Sequence, residues 1–188
     1  DALYGIATQR ALENYPITGV KLSHFPEFIC ALAFVKKAAA TANFKIGLIS
    51  LEIFKAISTA CDNLLESKEH HRDFIVDVIQ GGAGTSTNMA ANEIIANLAN
   101  LTLNKPIGSY GIVHPNDHVN LCQSTNDAYP TAAKLAVGLH HEKMVGELKL
   151  LIQSFRKKGD EFKHIVKMGR TQLQDAVPMT LGQEFNSF

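Results

Sequence analysis

The sequence predicts a mainly α protein, an N-terminal helical domain followed by the start of a long-helix bundle. Three observations point there. Apolar residues recur at spacings of three and four through most of the chain. Gly, Pro and Asn clusters punctuate those stretches. One periodic segment near the C-terminus runs far beyond the ~10–14 residues of a typical globular helix.

The elements follow in order. The opening through Pro26, with Pro16 and Gly19, reads as loop and turn with a short extended piece. From Glu27 the pattern is helical, with Phe28, Ala31, Leu32, Val35, Ala38 and Ala39 on one face and Asn43 and Gly47 at its end. Ser50 is placed to cap a second helix over residues 51–65, with Leu51, Phe54, Ile57, Cys61, Leu64 and Leu65 as its stripe. Asp73 to Ile79 reads as a short strand leading into a Gly81-Gly82 turn. A third helix is expected from Asn88 to about Leu103, with Ile94, Ile95, Leu98 and Leu101 inward. Residues 105–120 read as a polar loop.

The long helix begins at Ser124, where Asp127 completes a capping-box-like start and Pro130 falls in the first-turn region. Its apolar residues continue from Leu135 to Phe155, and its end is expected near Phe162. The domain boundary is set between Cys122 and Thr125, giving residues 1–123 and 124–188. The last eight residues read as a helix that continues, and the first residue is Asp1 rather than Met, so the chain reads as part of a longer protein.

Composition excludes several classes. A net charge of zero leaves no electrostatic footprint for nucleic acid or an anionic membrane. No apolar run approaches the ~20 residues of a membrane span, and no signal peptide opens the chain. Three widely spaced cysteines argue against a disulfide framework and for a reducing, cytoplasmic setting.

Chemistry concentrates in three strings of hydroxyl and amide residues: Gly81–Asn88, Gln123–Asp127 and Gly169–Asp175. The first lacks the Lys of a Walker loop and the third Gly of a dinucleotide fingerprint. It reads either as a turn with a helix cap, or as an anion site of helix N–H groups with the hydroxyls of Thr85, Ser86 and Thr87. Ser124 reads as an N-cap, while Thr125 and Asn126 add donors that a cap does not require. Gly169-Arg170-Thr171-Gln172 reads as a helix C-cap and connecting loop, or as a ligand contact, and Arg170 as an ion-pair partner or a ligand group.

The remaining polar residues read more plainly. His114 and His118 lack further ligands at metal spacing. His70-His71, His140-His141 and Asp160-Glu161 read as solvated, and Cys122 as a buried structural thiol. Uncharged donors of this kind suit a small carboxylate-rich substrate.

Taken together, the strings Gln80–Met89, His114–Thr131 and Met168–Met179, with the opening Asp1–Ile6 and Arg10, resemble the aspartate ammonia-lyase branch of the aspartase/fumarase superfamily along the whole chain. That resemblance implies a three-domain, largely helical subunit of a homotetramer, with active sites shared between subunits. It implies reversible anti elimination of ammonia from L-aspartate to fumarate, through an aci-carboxylate whose charge preorganised neutral donors stabilise.

Residue by residue, it implies that Thr85, Ser124 and Thr125 bind the β-carboxylate. Asn126, with Thr125, orients the amine, and Thr171 meets the α-carboxylate. Thr171 and Gln172 are the catalytic candidates. Gln172 stands where fumarases and some aspartases carry His; Ala90 and Ala7 replace a common Asn and His. The family's serine base, on a mobile loop, lies beyond Phe188, so the isolated chain is expected to be inactive. No organic cofactor is implied; Mg²⁺ as an activator follows by family analogy only. The rivals are fumarase or another superfamily lyase, and a non-catalytic helical assembly fragment.

Overall fold

In the computed structural model, which describes residues 2–188, the opening is not a loop but a helix, α1 (Ile6–Asn14). Its N-cap, Gly5, has no side chain to satisfy the first turn. Those donors go instead to the Glu93 carboxylate, which accepts from Gly5 N at 2.9 Å, Ala7 N at 2.8 Å, Thr8 N at 3.1 Å and the Thr8 hydroxyl at 2.6 Å. A negative group at a helix N-terminus also complements the macrodipole. The cap comes from far along the chain, so nothing local announces α1.

α2 (Pro26–Lys45) starts with Pro26 at its first helical position, where the missing N–H costs nothing. It buries Ile29, Ala31, Leu32, Ala33, Lys36, Ala40 and Asn43, so Ala31 and Leu32 lie inward as expected. Ala38, expected inside, is exposed, and Phe28 and Val35 are half-buried. The face is rotated because a lysine belongs to it. Ser50 caps α3 (Leu51–Glu66) by accepting the Ile53 N–H at 3.3 Å. α3 buries Ala56, Ile57, Ala60, Cys61 and Leu64, while Leu51 is exposed.

The strand expected over residues 73–79 is absent. A 3₁₀ turn (Glu69–Asp73) leads to a single antiparallel bridge between Lys21 and Asp77. The Asp77 carboxylate accepts from Thr18 N at 2.7 Å, the Thr18 hydroxyl at 2.8 Å, Gly19 N at 2.9 Å and Ile79 N at 2.8 Å. The side chain adds to a short backbone pairing, in which Leu22 N donates to Val76 O at 3.0 Å, Ser23 N to Phe74 O at 2.9 Å and Val78 N to Val20 O at 3.0 Å. His71, expected to be solvated, is buried, its Nε2 2.8 Å from the Leu64 carbonyl.

α4 (Thr85–Thr102) begins three residues before the expected Asn88, directly after Gly84 at φ +86°. It is buried on nearly every side from Ser86 to Asn100, against α1, α2, α3 and the turn at residues 115–119. Leu101, expected inward, is exposed. Its amides fasten the following segment: Asn97 accepts from Gly108 N at 2.8 Å, and Asn100 accepts from Val113 N at 3.1 Å and donates to Val113 O at 2.8 Å. Within the loop expected at residues 105–120 lies a π-helical turn (Pro115–Val119).

α5 (Thr125–Glu161) is the long helix. Pro130 lies inside it rather than in the first turn, which leaves the Asn126 carbonyl without its i+4 N–H. The chain divides into two compact units within α5, one running through Leu139 and the other from His140 to Phe188.

In the second unit, the connecting loop expected around Gly169 is an antiparallel hairpin, β1 (Val166–Thr171) paired with β2 (Gln174–Thr180). A register shift between Met168 and Arg170 marks a bulge. Gln172 and Leu173 close the turn at φ +49° and +62°, the two-residue geometry whose twist matches paired strands. Thr180 then opens α6 (Leu181–Ser187) with a capping box, accepting from Gln183 N at 3.1 Å while the Gln183 side chain accepts from Thr180 N at 2.8 Å.

Candidate functional site

Two of the three hydroxyl–amide strings meet on the first unit. Gly84 is where they lock. A Cβ there would collide with the Tyr129 ring, and φ +86° already disfavours any other residue. The start of α4 therefore sits directly against the early turns of α5. Tyr129 is held in turn by an edge-on contact with Phe28 at 5.3 Å between centroids.

Around that contact the predicted residues sort themselves. Thr85, the first residue of α4, is exposed. It lines an open cleft of about 470 Å³ with Ser86, Gly81, Arg10, Asn14 and Tyr15. Thr87, grouped with Thr85 by sequence, is spent elsewhere. It is fully buried, its N–H is accepted by Gln80 Oε1 at 2.7 Å, and its hydroxyl accepts from Gln80 Nε2 at 2.8 Å. Gln80 thereby caps α4 and leaves the N–H groups of Thr85 and Ser86 as its leading donors.

At α5, Ser124 is exposed and accepts the Asn126 N–H at 3.2 Å, so it does act as a turn acceptor. Asn126 is exposed, and Thr125 is half-buried. Cys122, expected as a buried thiol, is exposed at φ +58° in the loop before them.

Beneath these groups lies a polar cluster that sequence reasoning missed. Lys36 is fully buried, and its ammonium donates to Asn88 Oδ1 at 2.7 Å, Asn120 Oδ1 at 3.0 Å and Gln123 Oε1 at 3.0 Å. Asn88 donates onward to Asn120 Oδ1 at 3.0 Å and to the Thr125 hydroxyl oxygen at 3.2 Å. Asn92 adds a third donor to Asn120 Oδ1 at 3.2 Å. Burial pushes the Lys36 ammonium down to about 7, with a small opposing pull from Cys61. The signal was present in the sequence: Lys36 falls at helical spacing with Ile29, Leu32 and Ala40.

His114 and His118 face their own backbone. His118 Nδ1 accepts from His114 N at 2.9 Å, and His114 Nδ1 accepts from Asn116 N and Asp117 N, both at 3.2 Å. Both rings thus serve the π turn as acceptors, and desolvation holds His118 below its ordinary pKa despite Asp117. Among the described residues no group of three or more His, Cys, Asp or Glu is arranged to hold a metal.

The third string belongs to the second unit. Thr171 ends β1 and Gln172 begins the hairpin turn, both exposed. Arg170 pairs across the hairpin, its Nε 3.2 Å from Asp175 Oδ1.

With this geometry in hand, three comparisons bear on the chain. A family model described as a lyase matches residues 1–188. Curated proteins named aspartate ammonia-lyase are 55% identical over 188 residues in Pseudomonas aeruginosa and in Helicobacter pylori strain J99, and 50% identical in Escherichia coli. Each alignment covers all of this chain, and the chain spans about 40% of the length of these relatives. Among solved structures, the fumarate lyase:delta crystallin from Brucella melitensis in native form matches with TM-score 0.89 and 52% identity over the whole chain and 42% of its own. A class II fumarase from Schistosoma mansoni matches with TM-score 0.84 and 37% identity, again over the whole chain and 39% of its own.

Proposed function

The chain belongs to the lyase family of the aspartase/fumarase superfamily, and from that premise we propose that the protein carrying it eliminates ammonia from L-aspartate to give fumarate. The observation that supports this most is the meeting of two donor sets on one unit, in a chain 50–55% identical to proteins named for that reaction. Gly84 packs on Tyr129 and Asn88 reaches Thr125, so the start of α4, which carries Thr85, lies against the start of α5, which carries Ser124, Thr125 and Asn126.

The chemistry fits such a place. Removing the proton beside the β-carboxylate puts two negative charges on that group. Thr85, Ser124 and Thr125 hydrogen-bond it, and bind the transition state more tightly than the substrate because the charge has grown. Asn126 and Thr125 orient the amine that leaves on the opposite face. Thr171 from another subunit receives the α-carboxylate, and the Gln172 amide beside it supports it where fumarases carry His. The proton is taken by a serine of the family's mobile loop, so the 188-residue chain alone does not turn over.

The working unit is a homotetramer. The apolar side chains Met144, Leu148, Leu151 and Ile152 on one face of α5, all exposed in the single chain, support that assembly. Three free cysteines favour a cytoplasmic setting. No organic cofactor is proposed. Mg²⁺ as an activator rests on family analogy, and no ligand set among the described residues fits it, so no step passes through it.

The test is substrate choice. The purified full-length protein should release ammonia and fumarate from L-aspartate and leave L-malate untouched. Turnover of L-malate alone would move the assignment to fumarase, which the similarity to the Schistosoma mansoni enzyme supports as the second reading.

A further inference from the structure

We propose that Lys36 is a positioning residue that fixes the direction of the Thr125 hydroxyl, so that Thr125 offers its proton rather than a lone pair to the substrate carboxylate. The proposal rests on the reading of Thr125 as a carboxylate ligand.

The argument begins with what an ammonium can do. It carries three donors and no acceptor. All three donors of Lys36 are spent on side-chain amide oxygens, those of Asn88, Asn120 and Gln123. A primary amide has nearly the same shape with its oxygen and nitrogen exchanged, so its orientation is set by its neighbours. While Lys36 is protonated, only one orientation is open to each, with oxygen inward and nitrogen outward.

The outward nitrogens then have defined tasks. Gln123 Nε2 donates to Val119 O at 2.8 Å, and Asn120 Nδ2 donates to Gln123 O at 3.2 Å. Asn120 Oδ1 is further pinned, since it also accepts from Asn88 and Asn92. Asn88 Nδ2 donates to Thr125 Oγ1 at 3.2 Å. The Thr125 oxygen is therefore an acceptor on its inner side. Its own proton is excluded from that side, and no described residue accepts it.

A carboxylate only accepts hydrogen bonds. An outward proton attracts it, and an outward lone pair repels it. Were the Asn88 amide reversed, Thr125 would donate inward and turn a lone pair to the substrate. Lys36 sits on α2, makes no contact with substrate in this reading, and acts through one amide. The charge is thus converted into the polarity of a neutral hydroxyl.

The decisive variant is Asn88→Asp in the full-length protein. Asp keeps the shape and pairs directly with the buried ammonium, and circular dichroism checks its fold, because the new oxygen also meets Asn120 Oδ1 where Asn88 Nδ2 donated at 3.0 Å. Its second oxygen faces Thr125 and takes that proton inward. With L-aspartate, Asn88→Asp should lower kcat/KM on the order of 100-fold, the scale of losing one donor to a developing oxyanion. The loss should disappear when Asn88→Asp is placed in a Thr125→Val background, because no hydroxyl is left to misdirect. Lys36→Met should show the same non-additivity with Thr125→Val.

Losses that multiply across either pair would reduce Lys36 and Asn88 to a packing role and overturn the proposal. So would an Asn88→Asp variant as active as the wild type. A wild-type protein without activity on L-aspartate overturns the functional reading itself, and this inference with it.

Discussion

At Lys36, burial pushes the ammonium down to about 7, against roughly 10.4 in an unfolded chain. Between those values the unfolded chain binds a proton that the folded chain sheds, so stability rises with pH there. The cost of burying the charge is full below about 7 and fades as pH climbs toward the unfolded value. Burial also raises the Cys61 thiol to about 12 from near 9, which acts in the opposite sense once the unfolded thiol ionises. The clean window is therefore pH 7 to 8.5. Urea unfolding there should show wild-type stability rising by at most about 1.4 kcal/mol per pH unit, and Lys36→Met should lack that slope. Equal slopes in the two proteins would contradict the assignment. A second single-residue prediction concerns Glu93, which accepts from four donors at the start of α1. Glu93→Gln turns an NH₂ toward N–H groups and should cost on the order of 2 kcal/mol in a urea titration. An unchanged midpoint would mean that the carboxylate is not what holds α1.

Among the elements, legibility followed where each one finds its partners. The apolar spacing of α2, α3, α4 and α5 shows in the sequence, and the caps of α3 and α4 come from nearby residues, Ser50 and Gln80. α1 does not, because its cap is Glu93, more than 80 residues away. The hairpin was hidden for a different reason: its turn is Gln172-Leu173, not the Asn-Gly or Asp-Gly that signals such a loop, and its strands carry Gly169 and Pro178. The site divides the same way. The hydroxyls of Ser124 and Thr125 are conspicuous in the sequence, whereas Lys36 reads as one more surface lysine unless its place on the apolar stripe is counted. The hairpin turn also carries a testable strain. Leu173 is 96% exposed and sits at φ +62°, so it packs against little while holding a left-handed backbone. Leu173→Gly should raise the stability of the second unit by about 0.5–1 kcal/mol, read from the shift in its denaturation midpoint. A lower midpoint would show that the leucine makes contacts that outweigh its backbone cost.

For the molecule as a whole, the proposed tetramer makes a demand on α5. Leu148 and Ile152 lie one turn apart and are each 46% exposed in the single chain. In the full-length protein, Leu148→Glu with Ile152→Glu should convert the tetramer to smaller species in analytical ultracentrifugation. Activity should fall with it, because the site is proposed to be shared between subunits. A double variant that remains tetrameric would place the interface elsewhere. Thr171→Ala, by contrast, should leave the assembly intact and lower kcat/KM for L-aspartate by on the order of 100-fold. Wild-type kinetics in that variant would remove Thr171 from the substrate's surroundings.

α4 has one more consequence, for how this chain tolerates change. Most helices oscillate: one face is constrained by packing, and the other drifts freely. α4 is enclosed from Ser86 to Asn100, with only Met89 partly open, and its polar side chains are held there along with its apolar ones. It has no free face on which neutral substitutions can accumulate. A saturation scan scored by fitness should give a flat band of intolerance along α4, while α2, with Phe34 and Ala38 facing outward, should give the usual wave of about 3.6 residues.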